Sequence, residues 1–162
     1  VEATCGSLGQ ALSVAVGVAQ AAKRQNRTFR SYVILGDGEL QEGQVWEAAM
    51  YAASNRLDTL CLIVDLNPLQ VEGHTQKVMV MDPIDKKFQA FGWAVENVDG
   101  HEFGALSASF NQARSNRNMP TVILAQTIVG KGIPFLENQM SHNMVLPADV
   151  AEQCLKALEC QA

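Results

Sequence analysis

The chain has 162 residues, 48% hydrophobic and 18% charged, enough for one globular domain with a buried core. Its 17 acidic residues outnumber 12 Lys and Arg, the net charge is −5, and no basic stripe marks a nucleic-acid surface. No apolar run reaches the roughly 18 residues of a membrane-spanning helix. The first predicted element is a helix over 8–24. Leu8, Ala11, Leu12, Ala15, Val16, Val18, Ala19 and Ala22 supply an apolar residue at nearly every turn of a largely buried helix. Its Gly6-Ser7-Leu8-Gly9 start can expose backbone N–H groups at the helix head. Lys23 and Arg24 suit the last turn.

A strand over 31–36 (Ser31-Tyr32-Val33-Ile34-Leu35-Gly36) runs into Gly36-Asp37-Gly38-Glu39-Leu40-Gln41-Glu42-Gly43, and a helix is predicted over 41–54. A second strand over 59–66 ends at Asn67, thirty residues beyond Asp37, and an irregular stretch covers 67–80. Asp82-Pro83 predicts a helix over 82–91, with Asp82 as N-cap and Pro83 in the first helical position. A strand over 93–98, a helix over 102–115, a strand over 121–127, a glycine-containing loop and a terminal helix over 147–158 complete the chain.

Alternating strands and helices predict an α/β fold, a three-layer parallel sheet with helices on both faces. The strands read as continuous apolar runs, which suits a sheet buried on both sides. Ligands in such folds gather at the carboxyl ends of the strands, and Asp37, Asn67 and Lys131 all follow strand ends. No repeat or interdomain linker divides the chain, so residues 1–162 are expected to form a single domain. Val1 is not a start methionine, and an upstream segment is expected. Cys5, Cys61, Cys154 and Cys160 have no metal-ligand spacing, and reduced structural thiols in a cytoplasmic protein are expected.

Asp37 brings a hard anionic oxygen and Asn67 a neutral amide oxygen. Mg²⁺ takes few protein ligands and completes its octahedron with phosphate oxygens and water. Gly36 and Gly38 allow close approach of the backbone to a ligand, and the following helix start favours anionic oxygen. Gly-Asp-Gly alone reads as an ordinary turn. With Asn67 following a second strand, it reads as a metal-bridged diphosphate site.

Gly36-Asp37-Gly38 with Asn67 resembles the thiamin-diphosphate motif of thiamin-dependent enzymes. Gly6-Ser7-Leu8-Gly9-Gln10, the word from Gly36 to Ala49, Ala90-Phe91-Gly92-Trp93, Val98-Asp99-Gly100-His101 and Val129-Gly130-Lys131-Gly132 resemble transketolase in the same order, over residues 1 to about 142. Glu39-Leu40-Gln41-Glu42-Gly43 argues against a deoxyxylulose-phosphate synthase and against an oxo-acid dehydrogenase component.

The resemblance implies the thiamin-diphosphate-binding fold and a set of roles. Asp37, Asn67 and the Leu69 carbonyl would hold Mg²⁺ or Ca²⁺. Gly36 and Gly38 would line the diphosphate. Gly6, Ser7 and Leu8 would lie along the cofactor rings, with Lys131 near the diphosphate. Taken alone, Lys131 reads as a solvated loop lysine. Glu42 and Glu47 would lie at a dimer interface linking two active centres; taken alone they are two acids stabilising a helix start. His142, in Ser141-His142-Asn143 where the family commonly has Trp-His-Gly, would reach the diphosphate or the substrate as a proton carrier. His74 and His101 read as structural or exposed. Two departures stand out: Ala11 replaces a family glycine, and Pro68 stiffens the loop after Asn67.

The implied activity is transfer of a two-carbon ketol unit from a ketose phosphate to an aldose acceptor. Nothing after residue 142 resembles the pyrimidine-binding half, so the chain is expected to be the diphosphate-binding half. It would need a pyrimidine-binding partner, from a separate subunit or the same polypeptide, in a dimer or heterotetramer. The alternatives are a non-catalytic thiamin-diphosphate-binding or assembly subunit, and a different thiamin-dependent enzyme component.

Overall fold

The computed structural model describes residues 1–142 and 144–159; Asn143 and Cys160 lie outside the described residues. The first helix, α1 (Gln10–Arg24), buries Leu12, Val16, Ala19 and Ala22, which fall on one face at helical spacing. After it come β1 (Ser31–Gly36), a 3-10 turn (Gly38–Gln41), α2 (Gly43–Ser54) and β2 (Leu60–Leu66). Residues 67–80 are not irregular throughout. They hold a small hairpin, β3 (Leu69–Gln70) and β4 (Gly73–His74), and one helical turn, α3 (Thr75–Val78). The rest is α4 (Ile84–Phe91), β5 (Ala94–Asp99), α5 (Phe103–Ser115), β6 (Thr121–Gln126) and α6 (Ala148–Glu159).

Three helix starts differ from expectation for local reasons. Helix α1 begins at Gln10 because Gly9 turns through the left-handed region (φ 82°). The helix expected over 41–54 is broken at Glu42, whose backbone is extended (ψ 125°). Pro83 is also extended and serves as the N-cap of α4, so Asp82 is not the cap. The Asp82 carboxylate instead accepts from the Gln76 side chain.

The sheet has the order β1-β2-β6-β5, and every pairing is parallel. Helices α1, α2 and α4 cover one face. Their apolar stripes meet Val33, Leu35, Leu62, Val64, Val122 and Leu124. Helix α5 covers the other face, where Ala113 and Phe110 pack on Cys61, Ile63, Ile123 and Val98. That is the three-layer arrangement, with one correction. Only β2 and β6 are deeply buried along most of their length. Strand β1 is an edge at the margin of α5: Phe110 meets the Tyr32 ring edge-on at 5.8 Å, yet Tyr32 and Ile34 remain 44% and 69% exposed on that side.

Lys23 does not cap its own helix. Its ammonium donates to the carbonyls of Asn55 (2.6 Å) and Arg56 (3.1 Å), closing the end of α2. Cys5, Cys61 and Cys154 are free thiols, and burial pushes the Cys61 thiol up to about 11, as suits a structural residue. Among the described residues no helix is long and apolar enough to cross a membrane.

An aromatic group joins α2 to α4 and β5. The Phe88 ring lies 5.2 Å from Trp46 and 5.4 Å from Trp93, centroid to centroid. Both indoles satisfy their N–H groups on backbone, Trp46 on Leu40 (2.8 Å) and Trp93 on Ala49 (2.9 Å). Buried indoles need such acceptors. Phe88 is fully buried at the centre. Phe88→Ala should therefore destabilise the domain by ~3–5 kcal/mol, measured by urea unfolding followed through tryptophan emission.

Candidate functional site

Parallel pairing brings the carboxyl ends of β1, β2 and β6 to one edge. In register, Gly36 faces Asp65, and Asp65 faces Ala125. The ladder continues past the strand, because the Asp37 N–H donates to the Asp65 carbonyl at 3.1 Å. On the other side the Thr127 N–H donates to the Leu66 carbonyl at 3.1 Å, and the Thr127 hydroxyl donates to the Asp65 carboxylate. A cavity of about 850 Å³ opens over these strand ends. Leu8, Gly36, Asp37, Gly38, Glu42, Asn67, Leu69 and His142 line it, whereas Gly6, Ser7 and Lys131 do not.

Asp37 is only 8% exposed. Burial, reinforced by the neighbouring Asp65 carboxylate, raises its pKa from 3.8 to about 6, against the hydrogen bond from the Gly38 N–H (2.8 Å). Among the described residues neither Asp37 nor Asp65 forms an ion pair with Lys or Arg. The described residues also hold no cluster of three His, Cys, Asp or Glu side chains suited to a metal. A cation here would therefore rest on a mixed oxygen set. The hairpin supplies a candidate. Thr75 N–H donates to the Pro68 carbonyl (3.1 Å) and Leu69 pairs with His74. Antiparallel alternation then makes Leu69–His74 a non-hydrogen-bonded pair, which turns the Leu69 carbonyl away from its partner strand. A buried carboxylate without a cationic partner, an amide oxygen and an outward carbonyl fit a hard divalent ion that draws its remaining ligands from phosphate and water.

The glycines fit a diphosphate beside it. A Cβ on Gly36 would meet no protein atom within 4 Å, so a side chain there would fill open space beside the cavity. A Cβ on Gly38 would press to 3.2 Å from Gln70.

The cavity walls are tied down by side chains. The Glu39 carboxylate accepts the Gly9 N–H at 2.8 Å, and the Gln44 amide donates to the Leu8 carbonyl at 3.0 Å. The Gly9 N–H is thus bound to protein and is not an exposed anion donor, contrary to expectation for that glycine. Gln41 donates to Gln70 (2.7 Å), which donates to Glu72 (2.7 Å), tying the hairpin to the 3-10 turn. That amide bond leads the causes that lower the Glu72 pKa, with a smaller contribution from His142. Gly130 and Gly132 turn their loop at φ 72° and 91°, and the Lys131 ammonium lies 3.8 Å from Glu137. His142 is exposed at the cavity. Glu42 and Glu47 separate: Glu42 faces the cavity, and Glu47 lines a groove of about 400 Å³ between α1 and α2.

Known proteins share this fold and identify its family. Residues 1–161 match the family model described as transketolase, thiamine diphosphate binding domain. The chain belongs to the transketolase family. It is 41% identical over 160 residues to a 6-deoxy-6-sulfo-D-fructose transketolase subunit, SqwG, of a Clostridium species, covering 98% of this chain and 58% of that protein. It is equally 41% identical to one of the subunits of an apulose-4-phosphate transketolase from Actinobacillus succinogenes, with the same coverage. The crystal structure of Campylobacter jejuni transketolase superposes with a TM-score of 0.91 at 31% identity, over 98% of this chain and 26% of that one. The chain thus spans little more than half the length of the curated subunits and about a quarter of that full-length transketolase.

Asp65, Glu39, Gln70 and His101 also line the cavity of this transketolase-family domain, and no sequence motif assigns them a role there. Glu39 lies in the Gly36-to-Gly43 word and Asp65 in the second strand, and only the fold shows what each touches. His101 was read as structural or exposed; its ring lines the cavity and accepts the Ile128 N–H at 2.9 Å.

The raised Asp37 pKa fixes a pH dependence. Between its ordinary 3.8 and about 6 the folded, cation-free domain holds a proton that the unfolded chain has lost. This group's contribution to stability therefore falls as pH rises through that window. Melts of the cation-free domain should show wild type losing more stability than Asp37→Asn between pH 4 and pH 7, and the variant melting higher at pH 7.

Proposed function

We propose that this chain is the diphosphate-binding half of a transketolase-like transferase. It would act in a cytoplasmic enzyme that moves a two-carbon ketol unit from a ketose phosphate to an aldose acceptor. The observation that carries the reading is the cavity over the β1 and β2 ends, where Asp37, Asn67 and Leu69 meet on a domain of the thiamine diphosphate binding class. Asp37, Asn67 and the Leu69 carbonyl would hold Mg²⁺ or Ca²⁺, with Gly36 and Gly38 against the diphosphate. When bound, thiamin diphosphate supplies the electron sink for breaking and making the carbon–carbon bond. This chain's share is anchorage: it would hold the cation that offsets the diphosphate charge, orient the diphosphate over the strand ends and wall it from water. His142, exposed at the cavity, would carry a proton for substrate or cofactor. Gly6, Ser7 and Leu8 would border the cofactor rings, and Glu42 would face a second active centre across a dimer or heterotetramer. Lys131 would reach the diphosphate only on leaving Glu137.

The relatives bear on partner and substrate. Two are named as transketolase subunits, which supports a separate pyrimidine-binding subunit here. Their names give two different ketoses at the same 41% identity, one sulfonated and one phosphorylated. Both are anionic, and an anionic ketose is the substrate class we assign.

The test combines this chain with a pyrimidine-binding partner, thiamin diphosphate and Mg²⁺, and measures ketol transfer between sugar phosphates. Transfer should require both chains. Cofactor binding without transfer under any partner would favour a non-catalytic binding subunit. Asp37→Ala should weaken metal-dependent cofactor binding at least about tenfold in calorimetry, the scale of a lost charge-assisted contact. Unchanged affinity would sink the metal assignment.

A further inference from the structure

We propose that His101 is a positioning residue that fixes residues 127–130 as one wall of the diphosphate cavity, acting as a hydrogen-bond acceptor at Nε2. The inference rests on the cofactor reading above for what the wall is for.

The turn after β5 is built to deliver this imidazole. The Asp99 carboxylate accepts the His101 N–H at 2.8 Å, and the Asp99 carbonyl accepts the Glu102 N–H at 3.2 Å. This is the local side-chain turn that aspartate favours. Gly100 donates its N–H to the Gln126 carbonyl at 2.7 Å. A Cβ on Gly100 would come within 2.5 Å of the Thr127 methyl and 2.9 Å of the Gln126 oxygen, so only glycine lets this corner lie flush on the end of β6. Asp99, Gly100 and His101 thus form one device, with the third residue set over the chain just past β6.

There His101 Nε2 accepts the Ile128 N–H at 2.9 Å. The position matters. Thr127 makes the last bond from β6 towards β2, to Leu66. Beyond it, the Ile128 N–H has no strand to pair with, and the imidazole takes that place. A part-buried N–H left without a partner is costly. The same bond roots the loop that follows. Ile128 and Val129 carbonyls accept from Lys131 (3.2 Å) and Asn138 (2.9 Å), and the loop returns to Met140, Ser141 and His142 at the cavity. Because a backbone N–H can only donate, Nε2 must be the unprotonated nitrogen and Nδ1 carries the proton. The Nε2 lone pair is then in use, so His101 does not serve as a base or metal ligand through that atom.

Three substitutions separate acceptor from bulk. His101→Gln places an amide oxygen the same number of bonds from the backbone as Nε2. His101→Asn falls one bond short, and His101→Ala removes the group. In hydrogen exchange, the Ile128 amide should be protected in wild type and His101→Gln and about tenfold less so in the other two. Calorimetry with Mg²⁺ and thiamin diphosphate should show His101→Gln within about threefold of wild type, and His101→Asn and His101→Ala about tenfold weaker. Equal protection and affinity across all four proteins would overturn the proposal. If no form binds cofactor while the Ile128 amide responds as stated, the cofactor reading fails and the positioning role stands. Should the Asn and Ala forms not fold, long-range ¹H–¹⁵N spectra of wild type decide. An unprotonated Nε2 supports the role, and a protonated one overturns it.

Discussion

The site depends on one hydrogen bond, from the Asp37 N–H to the Asp65 carbonyl, which carries the β1–β2 ladder one residue beyond the strand. It fixes where Gly36 and Gly38 present bare backbone and where the Asp37 carboxylate enters the cavity. Register does the rest. Because Gly36 faces Asp65 and Asp65 faces Ala125, three parallel strands end level, and the chain after each one reaches the same space. A parallel sheet needs a crossover between such strands, so residues far apart in sequence converge only at this edge.

That convergence is electrostatically unfavourable by itself. Two carboxylates, Asp37 and Asp65, stand on neighbouring strand ends, one of them buried, and the described residues offer no lysine or arginine to either. Folded domains tolerate such frustration where a ligand relieves it. Thr127 satisfies one oxygen of Asp65 and Gly38 one of Asp37, which leaves acceptor capacity directed at the cavity. The sheet core, held by the Trp46–Phe88–Trp93 group and the apolar faces of α1 and α2, supplies the stability against which this repulsion is maintained.

Much of this was legible in the chain. Apolar periodicity marked the four sheet strands and the longer helices, and Gly-Asp-Gly with a distant Asn marked the strand ends. The failures share a cause. The 3-10 turn, the hairpin after Pro68 and the corner at His101 are short segments whose shape comes from single side-chain bonds to distant partners: Gln41 to Gln70, Glu39 to Gly9, His101 to Ile128. Those partners are 27 to 30 residues apart, beyond the reach of local pattern. The apolar Tyr32 and Ile34 make β1 read as buried on both sides; no property of the strand itself says that α5 meets it just at the margin, with Phe110 edge-on to Tyr32.

These bonds also separate two kinds of contribution. Asp37 and Asn67 stand just beyond the ends of β1 and β2, and their placement follows from register. The walls do not share that dependence, because the Leu8–Gly9 turn, the hairpin and the 127–130 segment are each held by a different side chain from a different element. Contacts without shared partners act nearly additively, whereas members of one network do not. Loss of Glu39 should therefore loosen one wall and leave the His101 wall intact. The Asp65 carboxylate acts on Asp37 through its charge and accepts from the Thr127 hydroxyl, so its loss touches both systems. Asp65 is thus the residue where the Asp37 carboxylate and the wall are coupled. A double-mutant cycle between Asp65 and His101 should depart from additivity, and one between Glu39 and His101 should not.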